Sequence, residues 1–348
     1  MAYTTIDDPS AYFQAKTYAG NSIDNTAITN DGNSDLQSDL IWFKRIDTPA
    51  DHFYFDSNRG VTKTLKTSSS DAEITTTTIL KSFDTNGFTV GINSNSNSSS
   101  GTYVAWQWKC NGGTTSTNTD GDINSTVQVN QDAGFTIVQY SPSDSTQRTI
   151  GHGMGSTPDI VWIRARNRVE DTWFYHGAIG LSGAQLNSGT TYNTSPASTA
   201  LKGVGASTFT VGTNPVVNGA YNYIAYCWKE IQGYSKFGKY VGNGNNDGPF
   251  VYTGFKPAFI IVKVTDDARD WRMFDAKRST FNVIDDYLTP NTNAIQGTSS
   301  LLSYDFLSNG FKLRGNHVST NQSGKTFIYM AFAENPFVTS TGIPTTAR

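Results

Sequence analysis

The chain has 348 residues, of which 36% are hydrophobic, 13% aromatic and only 16% charged, with a formal net charge of −3. This length allows two or three domains, and an aromatic content carried by 20 Phe, 17 Tyr and 7 Trp favours pleated, half-buried surfaces over helices. No basic run exceeds Lys44-Arg45, no apolar run reaches 18 residues, and no charged start leads into an apolar stretch. Nucleic-acid binding, membrane insertion and a cleaved signal peptide are therefore not expected.

In chain order, residues 1–21 read as an N-terminal docking segment, overlapping the start of a first repeat at 10–110. That repeat opens on a strand over Phe13-Gln-Ala-Lys-Thr-Tyr18 and continues with an apolar run closed by a cation, Asp39-Leu-Ile-Trp-Phe-Lys-Arg45. An aromatic patch follows at Phe53-Tyr-Phe-Asp56, then a polar stretch at Arg59 that predicts one short helical turn. Next come a tight turn at Asn86-Gly87, where Asn-Gly supplies left-handed backbone, and an aromatic-rich strand, Tyr103-Val-Ala-Trp-Gln-Trp108. Residues 111–131, with Gly112-Gly-Thr-Thr-Ser-Thr-Asn-Thr-Asp-Gly121, predict a flexible linker.

The same landmarks recur in a second repeat, 132–230: Phe135 to Tyr140, Pro158-Asp-Ile-Val-Trp-Ile-Arg164, Trp173-Phe-Tyr-His176, a Gly205 to Val211 turn without Asn-Gly, and Tyr223-Ile-Ala-Tyr-Cys-Trp228. A third repeat, 235–337, carries Phe237-Gly-Lys-Tyr240, Pro257-Ala-Phe-Ile-Ile-Val-Lys263, Trp271 to Asp275 with Arg278, Asn309-Gly310 and Phe327-Ile-Tyr-Met-Ala-Phe332. Residues 338–348 read as an extended C-terminal arm. Lys44 and Ala105 stand 61 residues apart, as do Arg164 and Ala225, while Lys263 and Ala331 are 68 apart. Period and order together specify an all-β chain of three tandem β-sandwich-like repeats, with short strands, Gly/Asn-rich turns and little helix. Only Lys229 to Ser235 joins the last two repeats, which predicts a rigid pair.

Chemistry-bearing residues are sparse. His52, His152, His176 and His317 share no short spacing, and Cys110 and Cys227 lack a metal-binding motif, so no metal, cofactor or catalytic residue is assigned and both cysteines read as structural thiols. Gly151-His-Gly-Met-Gly155 could expose His152 as a catalytic imidazole or cradle an anion but lacks a strand-then-helix setting, and reads as a glycine-shaped loop. Gly242-Asn-Gly-Asn-Asn-Asp-Gly248 carries one acidic side chain where a tight calcium loop carries several, which favours a hairpin connection. A glycosidase would need paired carboxylates across a cleft. Asp266, Asp267, Asp270, Asp285 and Asp286 are candidates, with exposed acidic turns as the plainer reading. Trp173, Tyr175 and Trp271 could present flat faces to a pyranose ring as glycan contacts, but recurrence of the patch in every repeat favours a packing role. Specific activity is expected where the repeats differ, at residues 184–204 and 280–303 and at the chain ends.

Several strings resemble those of environmental tailed-phage proteins that carry a domain of unassigned function: Met1-Ala-Tyr-Thr-Thr-Ile-Asp-Asp-Pro-Ser-Ala-Tyr-Phe13, Gly151-His-Gly-Met-Gly155, Tyr240 to Phe255, Leu307-Ser-Asn-Gly-Phe-Lys-Leu313 and Ala331-Phe-Ala-Glu-Asn-Pro-Phe337. The resemblance implies a non-enzymatic structural protein of the virion exterior, made in the host cytoplasm without a signal peptide. A tail fibre or tail-tip adhesin is the first expectation. A capsid decoration or head-fibre protein is the alternative, and a glycan-degrading tail-spike enzyme is a third. Expected partners are other virion proteins, further copies of itself in a homo-oligomer with a trimer favoured, and a host surface glycan or protein.

Overall fold

A strand that is apolar on both parities needs cover on both faces, and the central strands of all three repeats find it in two different places. The computed structural model describes residues 2–191 and 200–345. Unit 1 comprises β1 (Phe13–Ala19), β2 (Thr26–Thr29), β3 (Leu40–Arg45), β4 (His52–Asp56), β5 (Lys63–Lys66), β6 (Ile74–Thr75), β7 (Leu80–Asp84), β8 (Gly87–Val90) and β9 (Thr102–Trp108). After β10 (Ser116–Asn118) and β11 (Ser125–Asn130), unit 2 runs through β12 (Phe135–Tyr140), β13 (Arg148–Gly151), β14 (Ile160–Ala165), β15 (Thr172–His176), β16 (Gly183–Gln185), β17 (Leu201–Val204), β18 (Thr208–Val211) and β19 (Tyr223–Trp228). Unit 3 has β20 (Ser235–Val241), β21 (Phe250–Tyr252), β22 (Phe255–Val264), β23 (Arg272–Asp275), β24 (Asp286–Tyr287), β25 (Gly297–Thr298), β26 (Tyr304–Leu307), β27 (Gly310–Leu313) and β28 (Thr326–Pro336). Among the described residues the only α-helix is the single turn Val318–Asn321, so the fold is all-β.

Each unit is a sandwich of one large and one small antiparallel sheet. The large sheets are ordered β1-β9-β3-β4-β5-β6, β10-β11-β12-β19-β14-β15-β16 and β20-β28-β22-β23, and the small ones β2-β8-β7, β13-β18-β17 and β21-β27-β26. One face of each large sheet meets its own small sheet, burying Phe43, Phe55, Phe88 and Ala105 in unit 1. Val161, Ile163, Phe209 and Ala225 do the same in unit 2, and Ile260, Val262, Phe311 and Ala331 in unit 3. The other face of all three sheets turns into a single shared cluster, where Trp42, Trp106 and Trp108 meet Trp162, Tyr226 and Trp228 and also Ile261, Met330 and Phe332. Ring contacts cross between units, with Trp42 5.5 Å from Trp162, Trp108 6.2 Å from Trp228 and Phe13 5.1 Å from Phe332. The units therefore close around a common axis rather than following one another as a string.

Strand register makes the equivalence explicit. Trp108, Trp228 and Phe332 stand opposite Phe13, Phe135 and Ser235. Tyr18, Tyr140 and Tyr240 stack on Tyr103, Tyr223 and Phe327 at 5.0–5.1 Å. The residue in the place of Ala105 and Ala225 is Tyr329, opposite Val262, not the Ala331 used in counting the sequence period.

Four sequence expectations change. The segment 111–131, expected to be a flexible linker, instead carries β10 and β11, and β11 pairs with β12 in register. The Asp39 carboxylate pins its start by accepting the backbone N–H groups of Cys110, Gly112 and Gly113 at 2.6–3.0 Å. At Asn86-Gly87 and Asn309-Gly310 the hairpins are present, but pairing of Asp84 with Gly87 and Leu307 with Gly310 puts each glycine on the return strand. A Cβ there would lie 2.0 Å from the Ile28 carbonyl oxygen or 2.1 Å from that of Val251, so a neighbouring backbone demands the glycine. The loop Gly242 to Gly248 joins β20 to β21 in different sheets and is not a hairpin. Asn243 and Asn245 accept N–H groups within it, and Asp247 meets Lys312 at 2.7 Å. Finally, the N-terminal segment lies on unit 3 of its own chain: Tyr3 bonds the Gly254 carbonyl at 2.8 Å and Asp7 ties down Ser340 of the C-terminal arm.

Candidate functional site

The cations that close the first apolar run are buried, and each reaches a backbone carbonyl of another unit. Lys44 Nζ donates to Ala50 O at 2.7 Å and to Asn293 O of unit 3 at 3.5 Å. Arg164 of unit 2 donates to Ser69 O and Asp71 O of unit 1 at 3.2 and 2.5 Å. Lys263 of unit 3 donates to Gly189 O of unit 2 at 3.2 Å, and to its own Arg269 O. The three clamps run in one cyclic sense. Burial, with only carbonyl oxygens as acceptors, pulls both lysine ammonium groups down to about 8.

A second ring of contacts also joins the units. Asp56 pairs with Arg59 at 2.5 Å, both side chains fully buried, and accepts the hydroxyl proton of Tyr226 from unit 2 at 2.5 Å. Asp275 pairs with Arg278 at 2.6 Å and accepts the indole N–H of Trp106 from unit 1 at 3.1 Å. At the third junction His176 Nε2 meets the Tyr329 carbonyl of unit 3 at 3.0 Å, and burial lowers its imidazole to about 4. Here the imidazole is the neutral donor. The stretches after Asp56 and Asp275 are single hydrogen-bonded turns, Gly60 N–H to Asp56 O and Ser279 N–H to Asp275 O. These interlocking residues were not singled out as contacts from sequence, although two signals were present: the cation at one place in every repeat, and Asp-x-x-Arg in two of them.

The predicted glycan contacts do not share a face. Trp173 and Tyr175 point into the core of unit 2, 2% and 7% exposed, whereas Trp271 lies in the shared cluster, 1% exposed, against Phe174. Trp271 Nε1 donates to the Gln185 carbonyl at 3.0 Å. Trp173 nevertheless floors a groove of about 430 Å³ bounded by Glu170, Asp171, Gln185, Thr190 and Asn214. One ring face is covered by Gly183, where a Cβ would fall 2.0 Å from the indole. Gln185 and Asn187 hold Asp171 at 2.5 and 2.9 Å, and Arg168 holds Glu170 at 3.1 Å. Within the predicted stretch 184–204, residues 192–199 lie outside the described residues.

The remaining candidates are scaffold. His152 is buried, its ring against the Gly205 carbonyl and the Met154 N–H, and a Cβ at Gly153 would lie 3.4 and 3.0 Å from the methyls of Val127 and Val129 of β11. Asp270 is bonded by Asn291 at 2.8 Å, and among the described residues the groove it lines holds no second carboxylate. Asp285 accepts the Ser299 N–H through its backbone, and Asp286 accepts the Thr298 hydroxyl. Cys110 and Cys227 are buried free thiols. Among the described residues no three His, Cys, Asp or Glu side chains converge as metal ligands, and no helix is long and apolar enough to cross a membrane.

No curated protein and no solved structure matches the chain. A family model described as a domain of unknown function, DUF7483, matches residues 8–336, across all three units and the strand pair between the first two. The chain thus belongs to the DUF7483 family.

Proposed function

We propose that this protein is a non-enzymatic structural component of a tailed-phage particle exterior, serving as a host-contacting head on a tail fibre or tail tip. The observation that carries the reading is the closure of three like sandwiches around one aromatic core by a cyclic set of buried clamps. Such a body is rigid, and leaves the loops that differ between its units and the groove over Trp173 on the outside, where recognition residues concentrate. With its width set by three units around an axis, it acts as a terminal knob and not as a shaft. Within the groove, the carboxylate of Asp171, the amide of Gln185 and the hydroxyl of Thr190 suit a polar ligand such as a host surface glycan. The resemblance of the sequence to virion proteins supplies the setting.

The internal pseudo-threefold favours a second reading, a capsid decoration protein, because three similar faces in one chain match a threefold-related lattice point. Other virion proteins and further copies of the chain are its partners in either case. Labelled antibody imaged on intact particles separates the two, tail-end density supporting the first and lattice density the second. Purified protein should also compete with particle adsorption to host cells, and Asp171→Ala should weaken that competition. Absence of competition together with absence of density at the tail would sink the adhesin reading. Turnover of host polysaccharide by the purified chain would sink the non-enzymatic one.

A further inference from the structure

The leading strands β1, β12 and β20 occupy equivalent places, yet their outer edges are treated differently. Beyond β12 lies β11, pairing Gln128 with Ile137 and Asn130 with Phe135. Against β20 lies the turn Gly177–Ile179 of unit 2. Beyond β1 no strand lies among the described residues, and β1 ends its sheet. Lys109 N–H donates to Tyr12 O and Gly20 N–H to Gly101 O, so the even-numbered residues of β1 bond β9. The odd-numbered residues Phe13, Ala15, Thr17 and Ala19 therefore turn their N–H and C=O groups away from β9, Phe13 and Ala15 from buried positions, 2% and 4% exposed, and Ala19 from an exposed one. An edge without a paired strand is a template for another strand.

A trough accompanies that edge. One groove of about 400 Å³ flanks Phe13 to Ala15 and another of about 430 Å³ flanks Thr17 to Ala19, the two sharing Lys277. The opposite wall of the first groove belongs to unit 3, where Ala258, Ala276 and Ala333 are flanked by Lys277, Thr280, Glu334 and Asn335. Lys277 reaches Asp31 of unit 1 at 2.9 Å, and Asp31 also meets Lys16 at 3.1 Å, all three being partly exposed. An exposed bridge of this kind contributes little and is readily given up.

We propose that the outer edge of β1 seats an extended strand from a different protein, uncharged and β-branched at alternate positions. The occupant of the equivalent seat in unit 2 specifies that chemistry: β11 reads Ser-Thr-Val-Gln-Val-Asn, with Val127 and Val129 packed on the unit 2 core. The incoming strand completes the unit 1 sheet as β11 completes that of unit 2, by strand addition. This holds wherever the protein resides.

The test uses the full chain and a synthetic peptide of residues 123–132. Saturable binding is expected, with new protection from amide exchange at Phe13, Ala15 and Thr17. Thr17→Pro removes one outward N–H and no bond to β9, and weakens binding roughly tenfold, the value of about one hydrogen bond. Lys277→Ala leaves binding unchanged or tighter. Should Thr17→Pro disturb folding, the peptide carries the same question: N-methylation at Gln128, whose N–H faces the seat, abolishes binding, while N-methylation at Val127 does not. Binding without protection of the odd-numbered β1 amides, or no binding, overturns the proposal. Self-association of the chain that protects those amides without peptide overturns the choice of partner, by showing a second copy in the seat.

Discussion

Lys44 and Lys263 are buried and donate to backbone carbonyl oxygens, and at neutral pH each holds its charge at a cost. With the ammonium depressed to about 8 by burial against about 10.4 in an unfolded chain, the unfolded state binds more protons between those values, so stability rises with pH across that window. Each lysine withholds on the order of 3 kcal/mol below pH 8. Above pH 10 the sign reverses, because burial raises buried phenols such as Tyr54 to about 12 and the folded state then holds the extra proton. On the acid side His176, lowered to about 4 by burial, adds stability that is fully present above pH 6.5 and lost as pH falls through 4. Urea midpoints measured from pH 4 to 11 should rise to a maximum near pH 10. In a Lys44→Met, Lys263→Met double variant the rise from pH 8 to 10 should be absent; its persistence would mean that other groups cause it.

At the scale of elements, the junctions between units are the sensitive places. Asp56→Ala leaves Arg59 buried with only Glu73 at 3.1 Å as a counter-charge, and should cost about 3–5 kcal/mol by chemical denaturation. Replacing Asp56 and Arg59 together by Leu and Met should cost less than Asp56→Ala alone, since no charge is then stranded. Glycines divide by neighbour as well as by conformation. Gly310→Ala, which drives a methyl into the Val251 carbonyl of the adjacent strand, should destabilise by about 3 kcal/mol. Gly324→Ala, at φ +74° with nothing within 4 Å, should cost about 1–2 kcal/mol. Equal losses at the two sites would contradict the close-approach explanation. In unit 2 the glycine has changed strands: Gly151 faces Thr208 where Thr29 faces Gly87.

For the whole molecule, closure around one core predicts a radius of gyration of about 20 Å for 348 residues, well below that of three sandwiches in a row. Small-angle scattering measures it directly. Because Trp162, Phe174, Tyr226 and Trp228 all face the shared cluster, residues 132–230 alone should expose them and aggregate, and the intact chain should unfold in one calorimetric transition. Three separable transitions would show that the shared core contributes little.

The repeat, its landmarks and its all-β character were legible in the chain, because strand periodicity and turn chemistry are local. So was the packing role of the aromatic patch, since a residue type kept in every copy reports a need shared by every copy. The Trp173 groove was legible only as a residue list, because whether Trp173, Tyr175 and Trp271 share a face depends on strand parity and on which unit lies opposite. The cross-unit partners of Lys44, Arg164 and Lys263 were hidden, since each lies in another repeat. Residues 111–131 misled because glycine and threonine look flexible until a carboxylate 71 to 74 residues earlier binds their N–H groups. Local preferences thus determined three sandwiches, while only tertiary structure decided that they close, because the energy for closing comes from faces that no single repeat can bury by itself.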